Sequence, residues 1–581
     1  MASFAEETHL VMSLFENRES EDGLTGWAPS GSCKLAVHED VATDSVPLLS
    51  ATAVVDDGEE KDAGEAAERA RKPSGKYVLA SNRTDEKDGL SRTIARAPKP
   101  KVTYRVSGWV GVVAGGAEEG SEHAVHVKVE VDEGRPVGGG VVVVEPGKWG
   151  EIKGSFRVDD DDDEQPRIAK VYVHGPAAGV DLKVMDLRVS AVNKIPRLRH
   201  LRKQADKVRK RDVILKLNRK TADLDSITGA EIRVVQVENS FPIGSCITKA
   251  GLKNPAYVDF FTKHFDWAVL ENELKWYHTE PAQGQVSYTD ADELISFCDK
   301  RNKPVRGHCI FWAVEDSVQQ WVRAQHGDQL RAAVQARLRN LVTRYAGKFP
   351  HYEVNNEMLH GSFFKDRLGD DINAWMFRET ARIDPAPALF VNDYNVESGN
   401  DPNATPEKYL ALITDLQKRG APVGGIGLQG HVTRPDGETI STALDKLAMA
   451  GLPIWITELD VSNADENVRA DDLELVLREA YAHPAVEGVM LWGFMQGIMW
   501  RSHAHLVDAK GNYTKAGTMF ADLRQEWMSH AMGKVDSNGQ FKCRVYHGKY
   551  QVTLKTASGK TKKQTFDVKK GDAPLELSMD F

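Results

Sequence analysis

Two glutamates stand where apolar residues would be expected. Glu357 ends the stretch "HYEVNNE", in which Asn355 and Asn356 already interrupt an apparent buried strand, and Glu458 lies in "WITELD". Burying carboxylates and amides costs free energy unless each group finds a partner, so these residues are expected to have a role beyond packing. Two neighbouring carboxyl groups can supply one proton donor and one ionised carboxylate.

Polar and aromatic residues gather at the C-terminal ends of most predicted strands, in "ENELKW", "RGHCIFW", "NNE", "NDYN", "QGH", "TELD" and "WGF". Amides, histidines and lysines can hydrogen-bond sugar hydroxyls, and tryptophan and tyrosine rings can cover the flat C–H faces of sugars. With two glutamates among them, these segments indicate acid–base chemistry on a glycosidic bond.

The elements that must bring these segments together lie between residues 233 and 530. Eight short apolar strand candidates alternate with amphipathic helices there. They begin with "RVVQVENSFPIGSCI" and include "PVRGHCIFW" as the third, and Leu330, Val334, Leu338 and Val342 form a helical stripe. This pattern predicts an α/β fold, a (β/α)8 TIM barrel, whose active site lies at the C-terminal rim. A doubly wound sheet is the alternative, but no glycine-rich phosphate motif follows a strand.

The flanking regions have different patterns. Residues 1–192 carry short β-rich runs between Gly, Pro and Asp clusters, which predicts a β-sandwich. Residues 193–232 are predicted to form a basic linker helix and a lead-in strand, because apolar residues recur at helical spacing; a nucleic-acid-binding arm is the alternative. Residues 531–581 alternate and predict a small C-terminal β extension. The acidic run Asp159–Glu164 indicates a solvated loop rather than a cation site.

Composition limits the classes of partner. The net charge of −10 disfavours nucleic acid and anionic membranes, and no apolar run approaches the roughly 18 residues of a membrane span. We expect a monomer. The five cysteines are few and scattered, which predicts reduced, mostly buried thiols. The N-terminus lacks a basic start followed by an apolar core, so we expect no secretory signal and leave the location undecided.

The segments of residues 233–530 resemble, in order, those of the plant members of family-10 glycoside hydrolases, the endo-β-1,4-xylanase family. The resemblance implies hydrolysis of internal bonds of xylan with retention and without a cofactor. Glu357 matches the general acid/base of the family and Glu458 matches its nucleophile. A xylan transglycosylase, a non-catalytic xylan-binding homologue and a cellulose-acting hydrolase remain the alternatives.

The same resemblance implies further substrate-binding residues. Asn356 matches the amide that binds the sugar 2-hydroxyl, and His431 matches the residue that bonds the nucleophile. Tyr394 and Asn395 match the leaving-side platform. The remaining matches are wall, hydrogen-bonding and lid residues: His308, Trp312, Glu271, Asn272, Lys275, Gln429, Trp492 and Trp500.

Some of these residues also fit purely structural or metal-binding roles. His308, Trp312 and Trp492 could simply fill the top of the barrel. His308 and His431 could be zinc ligands, but no HExxH motif or cysteine pairing supports a metal site. Neighbours in a strand face opposite ways, so Asn355 is expected to make a supporting hydrogen bond rather than to touch sugar.

Residues 8–192 resemble the family-22 carbohydrate-binding modules that precede plant xylanase barrels, through "GWAPSG", "KYVLASNRT", "GLSRTI" and "VYVHGPAAGVDL". Sugar-binding members commonly place a tryptophan where this chain has Lys87. Because a missing aromatic ring removes a large flat contact, the resemblance leaves weak xylan binding and a purely structural role as alternatives.

Overall fold

The structure is a computed structural model that describes residues 10–13, 24, 26–39, 75–94, 97–113, 120–132, 134–159, 168–218 and 227–580. The first nine residues and most of the acidic run Asp159–Glu164 therefore lie outside the described residues. The chain divides into two compact units, residues 1–194 with 398–405, and residues 195–397 with 406–581.

The first unit is built from β-strands. Its strands are β1 Leu10–Ser13, β2 Trp27–Ser30, β3 Lys34–Glu39, β4 Lys76–Ser81, β5 Gly89–Thr93, β6 Tyr104–Val112, β7 His123–Val131, β8 Arg135–Val144, β9 Trp149–Phe156, β10 Ala169–His174 and β11 Leu182–Ala191. They are hydrogen-bonded in the order β2-β5-β10-β7-β8-β9-β6-β11-β4-β3, with β1 beside β11. Val127 of β7 and Val184 of β11 are well separated in this order yet belong to one buried core, so the sheet folds into two layers.

Glycines allow this sheet to fold over. Strand β8 pairs with β7 along its length but with β9 only at Gly138 and Gly139. A Cβ on Gly139 would lie 2.0 Å from the carbonyl oxygen of Val127, and one on Gly154 would lie 2.3 Å from that of Gly139. The backbones approach so closely that no side chain fits between them.

The second unit begins with the basic segment. Helix α1, Lys194–Arg209, is followed by β12, Lys210–Asn218, and β13, Glu231–Asn239. Leu201 and Ala205 are the buried residues of α1. Arg197 donates from Nε and Nη2 to the two carboxylate oxygens of Glu479, both at 2.6 Å. Arg197 therefore holds α1 against its own unit.

The barrel follows. Its strands are β14 Ile243–Ile247, β15 Trp267–Leu270, β16 Val305–Arg306, β17 Phe311–Trp312, β18 His351–Asn356, β19 Ala388–Asp393, β20 Val423–Leu428, β21 His431–Val432, β22 Ile454–Val461 and β23 Val486–Leu491. Its helices are α2 Pro255–His264, α3 Trp276–Thr279, α4 Thr289–Asp299, α5 Gln320–Arg323, α6 Gly327–Arg344, α7 Phe363–Leu368, α8 Ile372–Ile383, α9 Pro406–Lys418, α10 Gly437–Ala448, α11 Glu466–Ala482 and α12 Lys515–Glu526.

All strand pairs of the barrel are parallel, in the order β16-β15-β14-β23-β22-β20-β19-β18-β17. Strands β16 and β17 are the two halves of the predicted third strand, which is broken at residues 307–310 rather than continuous. Gly307 still bridges to Tyr352, so the two halves together close the ring of eight. The (β/α)8 prediction is confirmed, and the stripe on α6 is fully buried at Leu330, Val334, Leu338 and Val342.

The C-terminal residues form β24 His530–Lys534, β25 Gln540–Tyr546, β26 Gly548–Lys555, β27 Thr561–Val568 and β28 Leu575–Asp580. They pair with strands from before the barrel, in the orders β25-β12-β28 and β24-β13-β26-β27. The two sheets share one apolar core and make a second β-sandwich into which the barrel is inserted.

Two expectations are corrected by this sandwich. The predicted first barrel strand is two strands, because β13 pairs with β24 and β26 and only β14 enters the barrel. Residues 531–581 are not an extension on their own, since β12 and β13 complete their sheets. Pairing between distant segments carries no local sequence signal, which is why the alternating pattern alone did not reveal it.

The cysteines agree with the compositional analysis. All five cysteines are free, and four of them, Cys33, Cys246, Cys298 and Cys309, are buried, which confirms the predicted state of these residues. Among the described residues, no helix combines the length and the apolar character needed to cross a bilayer.

The second β-sandwich, a composite of strands from before and after the barrel, predicts that two substitutions on β26 will differ in their effect on stability. Tyr550 is fully buried, stacks on Phe566 at 5.2 Å and donates its hydroxyl to the carbonyl oxygen of Tyr546. Tyr550→Ala should lower the free energy of unfolding of the sandwich by about 3–5 kcal/mol, because it opens a cavity and removes a buried hydrogen bond. The measurement is urea denaturation followed by hydrogen exchange of β12, β13 and β26.

Lys555→Ala on the same strand is the matched control. Lys555 is exposed and its ion pair with Glu231 is long, 3.8 Å, so its loss should change stability by less than about 0.5 kcal/mol. Equal effects of the two substitutions would contradict the sandwich core described above.

Candidate active site

The candidate site lies where the barrel strands end. Glu357 follows β18 directly and has a φ of +62°, a left-handed conformation that non-glycine residues rarely adopt. Its backbone N–H donates to the carbonyl oxygen of Asn392, the last but one residue of β19, at 2.9 Å. Glu458 belongs to β22 and is 5% exposed. The rim therefore carries both glutamates, each on or next to a strand of the rigid barrel.

Glu458 is surrounded by donors and positive charge. The Asn392 amide donates to Oε1 at 2.8 Å, His431 Nε2 lies 3.3 Å from Oε2, and His308 Nδ1 lies 3.8 Å from Oε1. Burial opposes the ionisation of Glu458, but the charges of His308, His431 and Lys275 and the hydrogen bond from His431 hold its pKa well below the ordinary value. Glu458 is therefore an ionised carboxylate near neutral pH.

His431 is held as an imidazolium by two carboxylates. Its Nδ1 lies 2.9 Å from Oδ2 of Asp460, which also accepts from Trp500 Nε1 at 2.9 Å and, through Oδ1, from Arg501 Nη1 at 2.5 Å. Burial disfavours the charged ring, but the hydrogen bonds to Asp460 and Glu458 raise the pKa of His431 to about 10. The positive charge beside Glu458 is thus stable over a wide pH range.

Glu357 is surrounded by neutral donors. Trp312 Nε1 donates to Oε2 at 2.7 Å, and Gln429 Nε2 and Asn356 Nδ2 donate to Oε1 at 2.9 Å and 3.3 Å. Burial raises the pKa of Glu357 above its ordinary value, and the hydrogen bonds from Gln429 and Trp312 only partly offset this. Of the two glutamates, Glu357 therefore holds its proton to the higher pH.

Two amides join the glutamates. Thr457 Oγ1 donates to Oδ1 of Asn392 at 2.5 Å, which turns the Asn392 amide nitrogen towards both Oδ1 of Asn356, at 3.1 Å, and Glu458. The Asn356 amide nitrogen is in turn aimed at Glu357. This chain of donors fixes the position of each carboxyl group relative to the other.

Neighbouring Asn355 points elsewhere. Its amide donates to Oδ1 of Asn373 in α8 at 3.0 Å, which confirms the expected supporting hydrogen bond.

Lysine and aromatic side chains line the rim beside the glutamates. Lys275 Nζ lies 4.9 Å from the ring centroid of Trp312 and 5.8 Å from that of Trp492, and it donates to Oδ1 of Asn272 at 3.1 Å. Glu271 is nearly buried, and burial raises its pKa although Lys275 acts in the opposite direction. These residues form a cluster of polar groups against indole faces, as a sugar-binding surface requires.

Trp492 and Trp500 differ in exposure. Trp492 is 5% exposed and meets His308 edge-on at 5.0 Å, whereas Trp500 is 59% exposed and meets His431 edge-on at 5.0 Å. Trp492 is therefore packed into the rim, whereas most of Trp500 is exposed to solvent beside His431.

Tyr394 and Asn395 lie on the loop after β19, beyond Asp393. The Tyr394 ring stacks on His360, a residue of the loop that follows Glu357. This brings Tyr394, one of the predicted leaving-side pair, next to the segment that carries Glu357.

A group of potential metal ligands lies below the rim. His308, Cys309 and Glu353 each bring one ligand atom within 4.8 Å of the others. Nδ1 of His308 is already hydrogen-bonded to both oxygens of Glu353 at 3.0 Å, so these two residues form a histidine–carboxylate pair.

Comparison with known proteins places the barrel in a family. The sequence profile described as "Glycosyl hydrolase family 10" matches residues 233–523. Endo-1,4-beta-xylanase 3 of Arabidopsis thaliana is 45% identical over 99% of this chain and 75% of its own length. The chain belongs to glycosyl hydrolase family 10.

Two further relatives are similar to this family 10 chain over nearly its whole length. Endo-1,4-beta-xylanases 1 and 2 of Arabidopsis thaliana are each 46% identical to it, over 98% and 99% of this chain. The chain spans only 58% and 52% of the lengths of these two relatives. A profile described as "Carbohydrate binding domain" matches residues 56–179, within the first unit.

Some residues of the family 10 site were not identified from the sequence. Asn392 and Asp460 stand in the quoted segments "NDYN" and "TELD", so their positions at strand ends were the available signal. Glu353 and Arg306 are fully buried below His308, with Arg306 Nη2 at 3.7 Å from Oε2 of Glu353. Glu353 stands in the quoted segment "HYEVNNE", in a strand whose residues after His351 are all buried.

Replacing Asp460 with asparagine tests the charge arrangement. Without the Asp460 charge, His431 should lose its proton more easily, and the pKa of Glu458 should rise by about one unit or more. The depressed pKa of Glu458 contributes stability that is complete above the unfolded-state pKa and is lost as the pH falls to the folded-state pKa. In Asp460→Asn this contribution should be smaller, and its loss should be complete at a higher pH than in the parent protein. The measurement is a 13C NMR titration of labelled glutamate, assigned with Glu458→Gln.

Asp445→Asn is the matched control, since Asp445 pairs with His483 at 3.2 Å outside the site. It should leave the titration of Glu458 unchanged. A Glu458 titration that is the same in Asp460→Asn and the parent protein would contradict the arrangement.

Proposed function

We propose that the chain is an endo-acting retaining hydrolase of the internal β-1,4-xylosidic bonds of xylan. The observation that carries the proposal is a pair of buried glutamates on one rim with oppositely shifted pKa values, joined through Asn356 and Asn392. Retaining glycosidases need one protonated carboxyl group and one carboxylate nucleophile. The Arabidopsis relatives bear the name endo-1,4-beta-xylanase, which supports xylan as the substrate.

In the first step, the Glu458 carboxylate attacks the anomeric carbon of the sugar. The bond from that carbon to the glycosidic oxygen breaks, and the oxygen takes its electron pair together with the proton of Glu357. The products are a glycosyl ester of Glu458, an ionised Glu357 and the departing sugar chain. The anomeric centre is inverted once.

In the second step, Glu357 acts as a base. It removes a proton from water while the water oxygen bonds to the anomeric carbon, and the ester bond breaks with its electron pair returning to Glu458. Glu357 is again protonated and Glu458 again ionised. The second inversion restores the original configuration, so the product retains the β anomer.

The neighbouring residues have roles that follow from their contacts. Asn356 reaches Glu357 and Asn392, and we infer that it binds the 2-hydroxyl of the sugar at the reacting centre. His431 keeps Glu458 ionised, and Gln429 and Trp312 orient Glu357. Glu271, Asn272 and Lys275 supply hydrogen bonds to the next sugar toward the non-reducing end.

The pKa shifts give the expected pH profile. Activity should fall at low pH when Glu458 is protonated and at high pH when Glu357 has lost its proton. Since burial raises the pKa of Glu357, the alkaline limb should lie above the ordinary range of a glutamate.

Substitution of the glutamates tests the assignment. Glu458→Ala should lower the release of reducing sugar from xylan by at least about 10⁴-fold, because no nucleophile remains to form the ester. Glu357→Ala should also abolish xylan cleavage but should still form the glycosyl ester from β-xylobiosyl fluoride, whose leaving group needs no proton. Added azide should then replace the missing base and give a β-azide product.

The controls separate the proposal from its rivals. Trp109→Ala, in the first unit, should leave activity on soluble xylo-oligosaccharides unchanged. Substantial xylan cleavage by Glu458→Ala would refute the assignment of the nucleophile.

The parent protein incubated with xylohexaose separates hydrolysis from transfer, since oligosaccharides longer than xylohexaose would identify a transglycosylase. Failure to turn over any xylo-oligosaccharide would indicate a non-catalytic homologue.

We infer that the N-terminal module binds xylan only weakly, because residue 87 offers no aromatic ring. Lys87 is exposed on a turn whose geometry is fixed by Asp88, which accepts from the backbone N–H groups of Thr84, at 2.7 Å, and of Ser32, at 3.1 Å. A side chain at this position is therefore displayed on a rigid loop.

Lys87→Trp tests this inference. In full-length Glu458→Ala protein, Lys87→Trp should increase retention on insoluble xylan roughly tenfold, because a tryptophan supplies a stacking surface of the missing kind. Lys87→Ala controls for loss of the lysine charge and should change little. Retention that is equal for the tryptophan and alanine variants would show that residue 87 does not limit binding.

A further inference from the structure

His360 is held next to Tyr394 in a close stack. The ring centroids are 3.7 Å apart and the ring planes differ by 10°. His360 Nδ1 also lies 2.6 Å from Oδ1 of Asp393. The imidazole is thus fixed by a buried carboxylate on its edge and by the phenol ring on its face.

Asp393 ties the two loops of the rim together. It is fully buried, and besides His360 it accepts from the backbone N–H of Leu359 at 2.7 Å and from that of Tyr394 at 3.1 Å. Leu359 and His360 belong to the loop after Glu357, whereas Tyr394 begins the loop after β19. One carboxylate therefore sets the distance between these loops.

The loop after Glu357 is itself tightly constrained. The backbone N–H groups of His360 and Gly361 both donate to the carbonyl oxygen of Glu357, at 3.1 Å and 2.9 Å. A Cβ on Gly361 would lie 2.4 Å from the backbone of Ala313, so the loop packs directly against the neighbouring segment. A shift of His360 relative to Glu357 would need this loop to open.

These contacts connect the proton donor to an aromatic surface. The imidazole covers one face of the Tyr394 ring, so a sugar that stacks on this ring uses the opposite face. The ring is positioned relative to Glu357 through His360 and Asp393, not through its own side chain alone. A sugar bound there would place its glycosidic oxygen at a fixed distance from the Glu357 carboxyl group.

We propose that His360 is a positioning residue that supports Tyr394 as the platform for the sugar on the leaving side of the cleaved bond. This role rests on the proposed hydrolysis of xylan. His360 then influences the kcat/KM of substrates that carry leaving-side sugars. It also influences transfer to acceptor sugars, which bind at the same place in the reverse of that step. This role assigns His360 no contact with the reacting atoms.

Two substrates separate this role from general catalysis. Xylohexaose places sugars on both sides of the cleaved bond, whereas β-xylobiosyl fluoride has a leaving group too small to reach the platform. His360→Ala should lower kcat/KM for xylohexaose about tenfold, the size expected for a lost aromatic stack. The same variant should change kcat/KM for β-xylobiosyl fluoride by less than about twofold, since this substrate does not use the stack.

Further variants test the stack itself. His360→Phe keeps a flat ring under Tyr394 and should retain more than half of the activity on xylohexaose. Tyr394→Ala should reproduce the substrate-selective loss, and adding His360→Ala to it should cause no further loss, because both act through one ring. The control is His483→Ala, which removes a buried histidine paired with Asp445 outside the rim.

Transfer to an acceptor gives an independent measurement. With β-xylobiosyl fluoride and a fixed concentration of an aryl β-xyloside, the ratio of transfer product to hydrolysis product should fall in His360→Ala. The alkaline limb of the xylohexaose pH profile should stay where it is in the parent protein, because Glu357 is not altered.

Three results would overturn the proposal. They are an equal loss on both substrates in His360→Ala, a xylohexaose rate unchanged by His360→Ala, and a His360→Phe variant as impaired as His360→Ala. A parent protein inactive on both substrates would instead refute the proposed hydrolysis itself, so the two failures are distinguishable.

Discussion

Two carboxyl groups are buried at one rim and must differ in protonation, and the rest of the site is arranged around this requirement. Burial acts to raise the pKa of both groups by disfavouring their charged forms. The difference comes from the kind of neighbour. Glu458 faces histidines and a lysine, whereas Glu357 faces the uncharged donors of Trp312, Gln429 and Asn356. Each unit of pKa separation corresponds to about 1.4 kcal/mol of differential interaction.

This requirement extends outward from Glu458. His431 remains charged because Asp460 pairs with it, and Asp460 is satisfied in turn by Trp500 and Arg501 near solvent. Below the rim, His308 is hydrogen-bonded to Glu353, and Glu353 lies next to the fully buried Arg306. Such buried charges lose their hydration, and this desolvation costs several kcal/mol per ion in proteins generally. The barrel therefore gives up stability in order to fix one ionised carboxylate, as active sites commonly do.

The composite sandwich places a comparable constraint on the barrel. The strands before and after the barrel pair in one core, so residues 241 and 527 must lie close together. Asn239 Nδ2 donates to the carbonyl oxygen of Trp527 at 2.6 Å, and Gln236 Oε1 accepts from the backbone N–H of Ser529 at 2.9 Å. Helix α1 adds Arg209, which donates to the carbonyl oxygens of Tyr481, His483 and Val486. The segments that enter and leave the barrel are thus held together next to the start of β14, away from the strand ends that carry the glutamates.

The sequence by itself determined the barrel, the rim and the two glutamates. This evidence was local, because the periodicity of strands and helices can be read from neighbouring residues. In addition, "VNNE" and "ITELD" place charged residues where a strand is expected to be apolar. The sequence did not reveal that β13 belongs to a sandwich, that the third strand breaks at His308, or that Asn392, Asp460 and Glu353 complete the site. Only the tertiary structure decided these points, together with which neighbours keep Glu458 ionised and which ring supports Tyr394. The reason is that pairing across hundreds of residues, and the pKa of a buried group, depend on what is brought nearby in space, which no short segment encodes.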